Sequence, residues 1–172
     1  MLWSTSYLAC ALLSQPDPPE AALAEARALA DGLLRRASLP RLMRGLLSAH
    51  WAHAERRHGS VPQALIRASE SVELLRRTPA YLNHGYRELL ACLVAGQDWE
   101  AAITTAETAM QYLQRRPGIC FWDLGLALAC TDAFERTHRL EAAALAREDL
   151  RRRMATILAR APDASTRAQA EN

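Results

Sequence analysis

Residues 79–117 read PAYLNHGYRELLACLVAGQDWEAAITTAETAMQYLQRRP, and this stretch decides the fold. In its second half Trp99, Ala102, Ile103, Ala106, Ala109, Met110 and Leu113 recur at i, i+3, i+4 and i+7, which gathers the apolar side chains into one stripe along a helix. Its first half predicts a preceding helix over 79–95, opened by Pro79 and separated from the next by Gly96-Gln97-Asp98. A single helical hairpin cannot bury such a stripe, so this one needs neighbours of the same kind.

The neighbours are visible as a repeat of about forty residues. Gly45, Gly85 and Gly125 fall in step, as do Ala9, Ala49, Leu89 and Ala129, and Leu2, Leu42, Leu82 and Trp122. The partner segments share a second pattern: Glu20-Ala21-Ala22, Gln63-Ala64, Glu100-Ala101-Ala102 and Glu141-Ala142-Ala143. Pro40, Pro79 and Pro117 punctuate the boundaries, with Ser38 and Thr78 as expected caps. Asp17-Pro18-Pro19-Glu20 and Ser60-Val61-Pro62-Gln63 predict capping boxes at the starts of second helices. The expectation is eight helices near 2–14, 18–37, 40–57, 61–77, 79–95, 99–115, 119–136 and 139–160. Four units account for residues 1–160, and 161–172 form a polar, disordered tail. The small residues Ala22, Ala64, Ala102 and Ala143 would let neighbouring backbones approach closely.

Composition supports the reading. The 172 residues include 34 Ala and 27 Leu against 4 Ile and 3 Val, which excludes a sheet-based fold in favour of an all-α one. The 21 basic side chains, all Arg, nearly balance 19 acidic ones, so no broad field exists to capture nucleic acid or an anionic membrane. Arg without Lys also fits the codon usage of a GC-rich bacterial genome. No run of 18 apolar residues occurs, and the apolar N-terminus lacks the basic flank of a signal peptide. Cys10, Cys92, Cys120 and Cys130 lie within helical patterns, with Cys120 and Cys130 too far apart on one helix to bond each other. They read as reduced, inert thiols of a cytoplasmic protein.

The third unit, with Tyr86, Leu89 and Leu93, then Ala102-Ile103, Ala106, Ala109-Met110 and Pro117, resembles the tetratricopeptide repeat superfamily. The fourth opens on Phe121-x2-Leu124-Gly125-x2-Leu128, close to that family's aromatic-x2-Leu-Gly-x2-aromatic start. Leu90 stands where the family uses a small residue. The longer, Ala- and Leu-rich unit is similar to the helical repeats of maltose-regulator-type bacterial activators. The resemblance implies a right-handed α-solenoid of four helical hairpins whose first helices line a concave groove for a peptide or partner helix. Carried from the third unit through the forty-residue register, it nominates Tyr7, Arg44, Trp51, Glu55, His84, Arg87, Thr131 and Glu135 as partner-binding residues.

Signals for chemistry are few. His50, His53 and His58 cluster near Glu55, but no further ligand at suitable spacing completes a metal site, so neither metal nor cofactor is expected. No nucleophile elbow, phosphate loop or H-E-x-x-H pattern occurs, and no enzyme is expected. Trp99, between Asp98 and Glu100, reads as a core aromatic at an inter-helix turn. Arg35, Arg36, Arg76, Arg77, Arg115 and Arg116 all end second helices, where cations complement the helix dipole. They should also gather into one basic edge able to meet an acidic protein or a phosphate backbone. The lack of interleaved aromatics disfavours nucleic acid as the partner.

These observations favour a non-enzymatic scaffold that grips a protein or peptide segment in the groove. Two further readings stand beside it: a regulatory module of a bacterial transcription control system, and a chaperone of secretion-apparatus components. Leu2, Trp3 and Leu8, near an uncapped first helix, also point to self-association through the N-terminal end.

Overall fold

The structure, a computed structural model, describes residues 2–15, 17–116 and 121–160. Among them the regular elements are all helical: α1 (Leu2–Leu13), α2 (Glu20–Leu34), α3 (Arg41–His58), α4 (Val61–Leu75), α5 (Leu82–Ala95), α6 (Trp99–Gln114), α7 (Phe121–Arg136) and α8 (Leu140–Arg160), with a 3-10 turn at Pro79–Tyr81 before α5. The predicted eight helices are all present. The expected tail at 161–172, Pro117 and Cys120 lie outside the described residues, as do the side chains of Leu2 and Trp3.

Each helix packs against its sequence neighbour in the pairs α1–α2, α3–α4, α5–α6 and α7–α8. Alternate helices also touch, α1 with α3, α3 with α5 and α5 with α7, so the odd-numbered helices form a continuous row. The second helix of each pair meets the next first helix as well, as α4 meets α5 and α6 meets α7. The core is divided accordingly. Ala9, Leu13, Leu23, Leu33, Met43 and Leu47 form one cluster at the N-terminal end. Leu90, Met110, Leu113, Leu126, Cys130 and Phe134 form another at the C-terminal end. Val72, Leu75 and Leu82 join the two middle pairs.

Small residues set these spacings. Ala64, Ala102 and Ala143 are fully buried, whereas Ala22 is half-buried. The forty-residue glycines mark close approaches: a Cβ on Gly45 would lie 2.7 Å from Leu75, and one on Gly85 3.1 Å from the Val72 backbone. Glycine at both positions lets α4 press against the helices on either side of it.

The helix ends differ in part from expectation. Of the anticipated capping boxes, neither Asp17 nor Ser60 supplies a side-chain cap. Pro18 and Pro19 postpone α2 to Glu20, with Pro19 itself in the cap position at φ −53° and ψ 145°, which leaves Asp17 too far out to reach the first turn. Thr78 makes no side-chain cap either, and its Pro starts the 3-10 turn instead of α5. Asp98 does cap: its carboxylate accepts the Ala101 N–H at 3.2 Å. After α5 the left-handed conformation falls on Gln97, at φ 57°, while Gly96 stays in the helical region at φ −82°. Asp98 N–H then bonds the Leu93 carbonyl and Gln97 N–H the Val94 carbonyl. The turn after α7 repeats the construction with His138 at φ 57°, Arg139 N–H on Phe134 and His138 N–H on Glu135.

C-terminal carbonyls of the second helices are closed by arginines from elsewhere. Arg44 donates to Leu34 O at 2.7 Å and Arg36 O at 3.0 Å, Arg41 to Glu73 O and Leu74 O, and Arg153 to Leu113 O at 2.9 Å. Arg153 is 4% exposed and also pairs with buried Asp149 on its own helix.

Candidate functional site

The exposed face of the odd-numbered row holds a cleft of about 420 Å³ lined by Ser14 after α1, His50, His53 and Arg56 of α3, Arg87, Glu88 and Ala91 of α5, and Trp122 and Ala129 of α7. Successive three-residue spacings on α3 bring His50, His53 and Arg56 to one side of that helix, and the forty-residue repeat sets α5 and α7 beside it.

Glu88 is the hub. It is buried and meets Arg87 at 2.7 Å, His53 at 3.3 Å and Arg56 at 3.6 Å. Burial by itself would raise its pKa, but the His53 hydrogen bond and the charges of Arg87 and Arg56 override burial and hold the carboxyl at about 2. It is therefore an anion under all ordinary conditions. His53 Nδ1 also lies 3.4 Å from Arg56 Nη2, and this one nitrogen either donates to Glu88 or accepts from Arg56.

Beside the hub lies a ring cluster. His84 sits 4.8 Å from Trp122, 6.1 Å from His50 and 6.5 Å from Tyr81, centroid to centroid. Burial, followed by neighbouring positive charge, lowers both His50 and His84 to about 4, so both are neutral imidazoles at pH 7. Ser14 Oγ lies 2.7 Å from both the Cys10 carbonyl and His50 Nδ1. With its one proton on the carbonyl, the hydroxyl accepts from the imidazole N–H. Beneath the rings, buried Asn83 donates to buried Asp123 at 2.9 Å and accepts the His84 backbone N–H at 3.0 Å.

The cleft continues toward the C-terminal end. Trp122 and Arg87 also border an apolar pocket of about 390 Å³ formed with Leu124, Gly125, Leu128, Leu150 and Met154. Arg87 lies close over Gly125, where an added Cβ would stand 3.3 Å from its Cδ. Trp122, Leu128 and Met154 are 49%, 59% and 46% exposed.

Of the nominated partner-binding residues, His84 and Arg87 belong to this region. Trp51 and Glu55 face the other side of α3, where Trp51 Nε1 donates to Glu55 at 3.0 Å, Arg27 pairs with Glu55 at 2.9 Å and Arg67 lies over the indole. Arg44 is the cap of α2. Thr131 is buried and bonds the Ala127 carbonyl, and Glu135 pairs with Arg147 on the surface. Tyr7 is exposed on α1. The expected proximity of His50 and His53 to Glu55 is replaced by their proximity to Glu88, because Glu55 turns toward α2. Trp99, expected in the core, is 39% exposed and borders a further extension of the cleft with Arg56, Val94, Asp132 and Arg136.

Along the anticipated basic edge, Arg35 and Arg76 pair with Asp31 and Glu73 on their own helices, and Arg116 donates to the Pro79 carbonyl at 2.6 Å. Arg36, Arg77 and Arg115 are exposed. Cys10, Cys92 and Cys130 are buried free thiols pushed up to about 12 by burial, which makes them unreactive. Among the described residues no group of three or more His, Cys, Asp or Glu is placed to hold a metal ion, and no helix is long and apolar enough to cross a membrane. The chain matches no family model, no curated protein and no solved structure.

Proposed function

We propose that this chain is a helical-repeat scaffold of the tetratricopeptide type, four hairpins stacked as a right-handed solenoid, and that it holds a segment of a partner protein in the cleft on its odd-numbered helices. The observation that carries the reading is the continuity of that cleft. Its charged part and its apolar part share Arg87 and Trp122, and side chains from successive odd helices line it. This matches what a row of repeats offers an extended ligand, many small contacts instead of one deep pocket. The chemistry present favours binding over catalysis. His50 and His84 are held well below the range useful to a general base at neutral pH, and the buried thiols are protonated.

Site-specific photocrosslinking in native cells tests the proposal. A photoreactive residue replacing Ala129 in the cleft should yield a defined protein adduct, and the same residue replacing Glu107 on the exposed side of α6 should not. Equal adducts from both positions, or none from Ala129, would refute the cleft as the binding site.

A further inference from the structure

Resting on that reading, we infer that the partner segment presents an acidic side chain and, beside it, a large apolar one, the first paired with Arg56 and Arg87 and the second seated against Trp122, Leu128 and Met154.

The charge balance of the cleft points to the acid. Its lining and its extension past Trp99 carry Arg56, Arg87 and Arg136 against Glu88 and Asp132, three cations to two anions. Arg136 and Asp132 satisfy each other at 2.8 Å, so the surplus falls on the two arginines that share Glu88. Asp123 lies fully buried behind His84, bound by Asn83, and does not line the cleft. The sharing is unequal. Arg87 takes Glu88 with both Nε, at 2.9 Å, and Nη2, at 2.7 Å, whereas Arg56 approaches no nearer than 3.6 Å. Arg56 Nε is buried without an acceptor among the described residues. Its guanidinium is therefore a cation in partly desolvated surroundings whose strongest available anion is already engaged. Neutral His50 and His84 add no charge. Between the arginines and carboxylates of the cleft one positive charge is left over, which matches a carboxylate, carrying one negative charge, better than a phosphoryl group, which carries nearly two.

The apolar neighbour follows from the shared walls. Arg87 lies across Gly125 with Nη1 on the α7 side, and Trp122 borders both compartments, so a group that reaches the arginines is flanked by the pocket of Leu124, Leu128, Leu150 and Met154. The cleft extends beyond the arginines both toward Ser14 and His50 and toward Trp99. A chain thus runs through the site, and the acid is an internal side chain.

The test is selection of a random peptide display library, joined to its carrier through the peptide C-terminus, against the full chain. Isothermal titration with the selected peptides follows. Enrichment of Asp or Glu next to Leu, Phe, Met or Trp is expected. Replacing that acid by its amide in a selected peptide should weaken binding to the parent about tenfold or more, and should change binding to the Arg56→Gln variant little. Leu128→Ser should weaken the same peptide, and Arg115→Gln, on an exposed surface, should not. Because the acid-to-amide change is made in the peptide, its effect on the parent protein is read without any folding risk. Peptides that bind in a Leu128-dependent way without acid enrichment, or that respond equally to the amide in the parent and in Arg56→Gln, overturn the inference and leave the cleft reading standing. Selected peptides whose binding depends on neither Leu128 nor Arg56 refute both.

Discussion

Acidification from pH 7 to pH 5 should destabilise the folded state by about 4 kcal/mol, and two imidazoles account for it. His50 and His84 are each lowered from 6.5 to about 4, foremost by burial; repulsion between the two imidazoles comes next for His50, and the Arg87 charge acts on both. Between these values the unfolded chain binds protons at the two sites and the folded chain does not. Stability is thus fully present above about pH 6.5 and falls as the pH drops toward 4, by about 1.4 kcal/mol per pH unit for each imidazole. Over the span from pH 7 to pH 5 each loses about 2 kcal/mol. Glu88 acts in a lower window. Its carboxyl is depressed from 4.5 to about 2, so its contribution is intact above pH 4.5 and is lost only as the pH falls through 2. Urea unfolding followed by circular dichroism at intervals from pH 7 to pH 5 measures the slope in the parent and in a His50→Gln/His84→Asn variant. The variant, whatever its stability at pH 7, should have lost most of the slope in this window. The same slope in parent and variant would refute the reasoning.

Four substitutions test the packing and the turns by the same unfolding assay. Gly32→Ala, where an added Cβ meets nothing within 4 Å, should stabilise by about 0.5–1 kcal/mol through helix propensity. Gly85→Ala should destabilise by about 1–3 kcal/mol, because the new methyl meets the Val72 backbone at 3.1 Å and backbone yields poorly. Gln97→Gly, at φ 57°, should stabilise by about 0.5–1 kcal/mol by relieving a left-handed residue. Asn83→Ala should cost about 3 kcal/mol, since it leaves Asp123 buried without one of its donors.

The helices and their register were legible because each rests on local information: apolar periodicity, proline at starts, and glycine where two helices must touch. The cleft was legible only where the repeat pattern was strongest. His84 and Arg87 come from the unit whose apolar periodicity is fullest, and both lie in or beside the cleft. Carried into degenerate units, the register drifted by a residue or more, and each residue of drift turns a side chain by about 100° around its helix. The register points to Trp51 and Glu55 on α3, whereas His50 and His53 face the cleft, and to Thr131 and Glu135 on α7, whereas Ala129 and Asp132 do. Glu88 was missed for another reason. A glutamate in mid-helix reads as solvent-facing until its partners are known, and His53 and Arg56 lie more than thirty residues away in sequence. The one available signal was a charged residue on a helix whose flanking positions, Leu90, Cys92 and Leu93, are all apolar. The arginine caps were hidden similarly, since Arg44 and Arg153 close carbonyls of other helices.

The row of alternate helices also bears on how the chain is made. Each helix finds its principal partners within the next two elements of the sequence, and cross-helix bonds such as Asn83 with Asp123 and Arg153 with Leu113 span forty residues. The loops that must close during folding are therefore short and nearly equal in length, which keeps contact order low and folding fast. During synthesis, α1 and α2 can dock with α3 before α5 has been translated, and every later pair meets a surface already in place.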